Sequence, residues 1–174
     1  TVHADFQHIA SLGKEGVLVL MGDSTNSNHP GHQVSEKVIG EELELIIEKA
    51  PGRLIVGTFA SLLSRVKQII ESSERLGKKV AIDGYSMKTN VEIAKVMGFI
   101  KCSQSTLIKP EQMDSYEDNK VVLICTGAQG EKNAALNRIA NNEHRSVQIR
   151  ESDTIIFSSS VIPGNENSVQ RLMD

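Results

Sequence analysis

The residues with chemistry to offer stand in short clusters where apolar runs end. They are Gly22-Asp23-Ser24-Thr25, Gly57-Thr58-Phe59-Ala60-Ser61, Asp83-Gly84-Tyr85-Ser86 and Thr126-Gly127-Ala128-Gln129-Gly130, with Ser158-Ser159-Ser160 running on to Pro163-Gly164-Asn165. Hydroxyls are neutral donors, glycine lets a backbone N–H approach an anion, and a helix N-terminus adds positive potential. Together these favour phosphate. Each cluster alone reads more readily as a helix N-cap than as a site. Five in series, with three consecutive serines and the run TGAQG, exceed what capping requires.

Other chemistries fit less well. His29-Pro30-Gly31-His32 carries two histidines, but Pro and Gly between them make a turn, and no carboxylate or thiolate stands nearby in sequence. A solvated loop is expected there, not a metal site. His3, His8 and His144 stand alone. No Gly-x-Gly-x-x-Gly follows a strand and no Gly-Lys-Ser/Thr loop occurs, which argues against a dinucleotide cofactor and NTP hydrolysis. Asp23 sits where an aspartyl nucleophile could, yet the second carboxylate such a site needs two residues on is Thr25. Cys102 and Cys125 are too few for a disulfide framework and show no Cys-x-x-Cys spacing, so a reducing compartment is expected.

The elements that position these clusters alternate between strand and helix patterns. Strands are expected at Gly16–Gly22, Arg53–Phe59, Lys78–Gly84, Lys120–Gly127 and Asp153–Ser160; several lack polar alternation, as strands covered on both faces do. Helices are expected at Ser35–Lys49, Ser61–Leu76 (with Gly77 as its stop), Thr89–Met97, Lys132–Asn141 and Asn165–Met173. Lys101–Asp118 reads as a connection carrying a short strand or turn. Residues 1–13 read as a lead-in with one short helical turn, and 14–174 as one domain. This is an α/β fold: three layers, a mainly parallel sheet with helices on both faces, Rossmann-like. Parallel strands would bring all five clusters to the sheet's carboxyl edge, where such folds bind ligands.

Composition narrows the partners. The net charge is −3, from 19 Lys+Arg against 22 Asp+Glu, and no basic stripe is visible. A free-standing nucleic-acid binder usually needs one. With no Trp, 2 Tyr and 4 Phe, a surface of many stacking rings is excluded. Any contact with RNA should be a small pocket or shared with another domain. No apolar run is long enough to span a bilayer and no signal peptide is visible, so a soluble cytoplasmic protein without membrane contact is expected.

In combination and in order, GDSTN with HPG and VSE, GTFAS with RVKQII, DGYSM with VEIAKVMG, CTGAQGE with ALNRIAN and EHR, and DTIIFSSSVIPGN resemble the β-CASP domain of ribonuclease J, from about Ala4 to the last residue. The resemblance implies an RNA-clamping domain inserted into a metallo-β-lactamase domain. The complete enzyme would be a zinc-dependent ribonuclease with endonucleolytic and 5′-to-3′ exonucleolytic action in RNA decay and maturation, including that of ribosomal RNA, and would be a homo-oligomer. Two zinc ions would lie in the lactamase domain, and single-stranded, 5′-monophosphorylated RNA would run in the cleft between domains. No His-x-His-x-Asp-His segment occurs in this chain. The expectation is therefore the inserted domain alone, without a metal or cofactor of its own and inert by itself.

The resemblance also implies roles. Asp23 becomes the family's acidic residue that supports the metal site by accepting a hydrogen bond from a histidine across the domain interface. Ser24, Thr25, Ser61, Ser86, Ser158, Ser159 and Ser160 become donors to RNA phosphates, with Asn165 beside them and Gly127, Gly130 and Gly164 letting backbone approach. Tyr85 stands where the family commonly has a basic residue, which either removes one phosphate contact or offers a hydroxyl and a ring face instead. Two readings of other classes compete: a free-standing Rossmann-type binder of a sugar phosphate or nucleotide, and a docking domain with no ligand.

Overall fold

A computed structural model describes residues 5–24, 27–28, 30–31 and 34–174. Thr25, His3, His29 and His32, all named above, lie outside the described residues. The chain divides into two compact units, residues 1–39 and 40–174.

In the first unit, helix α1 (Phe6–Glu15) is capped by Asp5, whose carboxylate accepts from the His8 backbone N–H at 2.9 Å. The lead-in is thus a ten-residue helix instead of one turn, because its N-cap and the spaced Phe6, Ile9 and Leu12 sustain a longer helix. The strand expected at Gly16–Gly22 does not form. Residues 16–24 carry no strand, and Val17 to Met21 are exposed, Leu18 fully. An apolar run becomes a strand only where a neighbour takes its backbone N–H and C=O groups, and no described strand pairs with it. Helix α2 (Glu36–Lys49) begins here, with Ser35 Oγ accepting from the Val38 N–H, and ends in the second unit.

The second unit is a five-stranded, wholly parallel sheet. Strands β1 (Leu54–Gly57), β2 (Lys79–Asp83), β3 (Leu107–Ile108), β4 (Val121–Cys125) and β5 (Thr154–Phe157) lie in the order β3-β2-β4-β1-β5. β1, β2 and β4 are buried almost throughout, which explains their unbroken apolar runs. Between the strands run α3 (Leu63–Arg75), α4 (Tyr85–Val96), α5 (Ala135–Ala140) and, after β5, α6 (Glu166–Met173).

Alternate strand residues face opposite layers. Ile55, Ala81, Leu123 and Cys125 pack with Met113, Ala135, Leu136, Ile139 and Val147 on one side. On the other, α3 and α4 contact β2 and each other. The right-handed crossover rule requires this split: β1 connects leftward past β4 to β2, while β4 connects rightward past β1 to β5. Connections leaving the adjacent strands β1 and β4 therefore head to opposite faces and open a crevice at their carboxyl ends. The polar stretch 101–118 supplies β3 and a 3₁₀ turn at Pro110–Ser115, as its composition suggests.

At the other end of the sheet, Arg53 holds the entry to β1. Its guanidinium reaches Asp153 through two hydrogen bonds of 2.9 and 2.6 Å, and both side chains are buried.

Candidate functional site

Register sets the geometry of the carboxyl edge. Gly57 pairs with Cys125 and Phe157, and Cys125 pairs with Asp83, so four strands end on one level. The loops starting at Thr58, Gly84, Thr126 and Ser158 leave that level side by side. With strands about 4.8 Å apart, they span roughly 14 Å. Four of the five polar clusters thus share one edge. Of the fifth, the described residues Gly22 to Ser24 belong to the first unit and follow no described strand.

The loops are tied to one another. Thr58 donates its N–H to the Cys125 carbonyl at 3.0 Å and its hydroxyl to the Ser158 carbonyl at 3.1 Å; the Ser158 N–H returns to the Gly57 carbonyl at 2.8 Å. Arg65, buried in the first turn of α3, donates to Ser158 Oγ at 2.6 Å. Ser158 is a buried strut of the edge, with its hydroxyl already engaged.

Gln129 locks the serine loop. Only 4% exposed, it donates through Nε2 to Ser159 Oγ (3.1 Å) and the Ser160 carbonyl (2.9 Å). Its Oε1 accepts from the Ile162 N–H (2.8 Å) and Asn165 Nδ2 (3.3 Å). Two donors and two lone pairs are all an amide side chain has. One buried residue therefore fixes 159–165 at four points, using every bond it can make. Gln129 was legible as part of TGAQG, but sequence alone gave no reason to single it out from its neighbours.

The remaining expected residues fall as follows. Ser61, Ser86 and Ser160 are exposed, and their hydroxyls make no hydrogen bond among the described residues. They are the open donors of the edge. Ser159 is half-buried and held by Gln129, as is Asn165, which precedes α6. Gly130 and Gly127 have packing roles: a Cβ at Gly130 would lie 2.5 Å from the Ser168 carbonyl oxygen, and one at Gly127 2.9 Å from Ala134 Cβ. Gly164 has open space around it and donates its N–H to Glu166. Asp23 and Ser24 are exposed in the first unit, with the Ser24 carbonyl accepting from the Ser27 N–H.

A second cluster on this edge escaped the sequence. His144, alone in the chain, places Nε2 2.8 Å from Asp83 Oδ2, at the end of β2. Its Nδ1 accepts the N–H groups of Ser146 (3.2 Å) and Val147 (3.1 Å), which leaves the ring proton on Nε2, aimed at Asp83. Lys88 Nζ reaches Asp83 Oδ1 at 2.5 Å, and Arg138 lies 3.7 Å from Oδ2. Burial works against the Asp83 charge, but hydrogen bonds from Lys88 and His144 outweigh it and hold its carboxyl below the usual carboxylate range. The separation of 61 positions between Asp83 and His144 hid this pairing.

Zinc does not fit these residues. Among the described residues no three His, Cys, Asp or Glu side chains gather as ligands, and the Asp83 carboxylate and both His144 nitrogens are engaged within the protein. Nor is any described helix long and apolar enough to cross a membrane.

Comparison with known proteins identifies the family. The family model described as ribonuclease J, β-CASP domain, matches residues 51–174, which hold the whole sheet. Ribonuclease J 1 of Streptococcus pyogenes serotype M3 is 44% identical over 171 residues, covering 98% of this chain and 30% of that protein. Ribonuclease J of Mycolicibacterium smegmatis is 43% identical, again over 98% of this chain and 30% of the relative. That of Thermus thermophilus is 40% identical over 95% of this chain and 29% of the relative. The chain thus spans less than a third of the length of these relatives. It belongs to the ribonuclease J family, in which it corresponds to the β-CASP domain.

Proposed function

We propose that this chain is the substrate-clamping part of a zinc-dependent ribonuclease, whose metal centre is supplied by a lactamase-type domain beyond these residues. The observation that carries the reading is the row of open hydroxyls, Ser61, Ser86 and Ser160, along a carboxyl edge whose serine loop is already fixed by Gln129. Donors held in place before the ligand arrives bind without an added ordering cost. Neutral hydroxyls suit a phosphodiester where the chain as a whole is acidic.

In this reading the edge holds the RNA backbone, and a 5′-terminal monophosphate on the Ser159–Ser160 turn sets the register for exonucleolytic steps; endonucleolytic cleavage would use the same edge without the terminal contact. Asp23 orients a histidine of the metal domain, and the isolated chain, lacking the hydrolytic centre, is inert. The family match weighs against a free-standing sugar-phosphate binder.

The test uses the full-length ribonuclease. A hydrogen bond to a charged phosphate contributes about 1.5 kcal/mol or more, so Ser159→Ala with Ser160→Ala should weaken 5′-monophosphorylated RNA at least about tenfold. Preference for the monophosphate over a 5′-hydroxyl should disappear with it. An unchanged preference would contradict the reading. Asp23→Asn should lower cleavage while zinc content stays near that of the parent; full loss of zinc would make Asp23 a ligand instead.

A further inference from the structure

Two of the open hydroxyls, Ser61 and Ser86, follow strands that are not neighbours. β1 and β2 flank β4 in the sheet, so the residues that follow them start about 10 Å apart. One side chain joins the two segments. Asn90, half-buried on α4, donates through Nδ2 to the Ala60 carbonyl at 2.8 Å, across 30 positions of sequence. No other hydrogen bond joins α4 to residues 58–62 among the described residues.

The placing of Asn90 suits a tie of this kind. Asn is a weak helix former, yet here it stands inside a helix of 12 residues. Residues four apart share a helix face, so Asn90 lies one turn from Ser86, about 6 Å along the axis. Its partner, Ala60, directly precedes Ser61. The loop is otherwise bonded at its two ends. Thr58 reaches the Cys125 and Ser158 carbonyls, while the Leu62 and Leu63 N–H groups turn back to the Phe59 (3.1 Å) and Ser61 (2.9 Å) carbonyls. Between those ends, Asn90 supplies the tie.

We propose that Asn90 is a positioning residue for RNA: it holds Ser61 beside Ser86, so that hydroxyls from two separate strand ends meet the phosphate backbone as one preset pair. Asn90 acts through Ser61 and makes no contact with phosphate itself. The inference rests on the RNA-clamping reading above and adds to it a residue that reading does not use. Donors set in place beforehand spare the ordering cost of binding. Losing the tie therefore weakens the hold on RNA and leaves the hydrolytic step as it was.

The experiment measures KM and kcat of the full-length ribonuclease on 5′-monophosphorylated single-stranded RNA for Asn90→Ala, Ser61→Ala and the double variant. Ser61→Ala removes a hydrogen bond to a charged group and should raise KM about tenfold. Asn90→Ala can cost no more than the hydroxyl it misplaces, so KM should rise about three- to tenfold with kcat within about twofold of the parent. Once Ser61→Ala is present, adding Asn90→Ala should change KM by less than about twofold, since the two residues act as one unit. Alanine is the best helix former, so folding should hold, with Tm lowered by at most about 4 °C. Hydrogen exchange at the Leu62 and Leu63 amides, which close the turn around Ser61, should accelerate in Asn90→Ala. Effects that multiply in the double variant, or unchanged exchange at those amides, overturn the proposal. If Ser61→Ala raises KM while Asn90→Ala does not, the RNA-clamping reading stands and the role of Asn90 falls; if Ser61→Ala leaves KM unchanged, the part of Ser61 in that reading falls as well.

Discussion

Replacing Gln129 by Leu keeps the side chain's bulk and removes all four hydrogen bonds that fix 159–165. The partners differ in what they lose. Ile162 and Ser160 are exposed and can bond to water, whereas Ser159 and Asn165 are half-buried. Four bonds at about 0.5–1 kcal/mol net each amount to about 3 kcal/mol, equivalent to a Tm lowered by about 6–12 °C in a protein of this size. The local effect is more telling than the global one. Gln129 Oε1 is the acceptor of the Ile162 N–H, at 2.8 Å. Hydrogen exchange of the Ile162 amide should therefore accelerate in Gln129→Leu, while amides in β1 and β4 change only by the global loss. Gln129→Glu separates the two halves of the clamp: its oxygens still accept from Ile162, but it lacks the donor to Ser160 and turns a negative charge on that carbonyl. It should keep Ile162 protected and weaken monophosphorylated RNA. Ile162 exchange that is the same in Gln129→Leu and the parent would refute the clamp.

Other outcomes follow from single contacts. Gly130→Ala should cost about 2–4 kcal/mol, because φ is +74° and the new Cβ would press on the Ser168 carbonyl, whereas Gly164→Ala, at φ +98° in open space, should cost only about 1–2 kcal/mol; denaturant midpoints compare them. Arg53→Met strands the buried Asp153 carboxylate and should cost about 3–5 kcal/mol, read by the same unfolding curves. The Asp83 carboxyl is depressed in the folded state, so its contribution to stability is fully present above the ordinary carboxylate pKa and is lost as pH falls through its lower folded value. Melting as pH falls from about 5 to about 2 should thus drop more steeply in the parent than in Asp83→Asn, which lacks that titration.

Four strands and five helices were legible because their signals are local. Runs such as LIVG and VVLIC are apolar without alternation, as only strands buried on both faces can be. The run after α1 carries the same signal and forms no strand, since pairing depends on a neighbour that local sequence does not specify. Helix α4 begins four residues earlier than expected, at Tyr85, because Gly84 at φ +100° turns the chain directly from β2 into the helix. The serine edge was legible as composition at strand ends. What each hydroxyl does was not: Ser158 and Ser160 are two residues apart, yet one is buried under Arg65 and the other open. Gln129 with Ser160, and Asp83 with His144, are joined by strand order, which no residue pattern encodes.

The most direct test is photocrosslinking of 5′-monophosphorylated RNA carrying 4-thiouridine to the full-length ribonuclease, with adducts mapped by mass spectrometry. Adducts should concentrate in the segments leaving the carboxyl edge, residues 58–61, 126–130 and 158–165 and the start of α4 at 84–90. Adducts confined to the opposite edge, around Arg53, Lys78, Lys120 and Arg150, would contradict it.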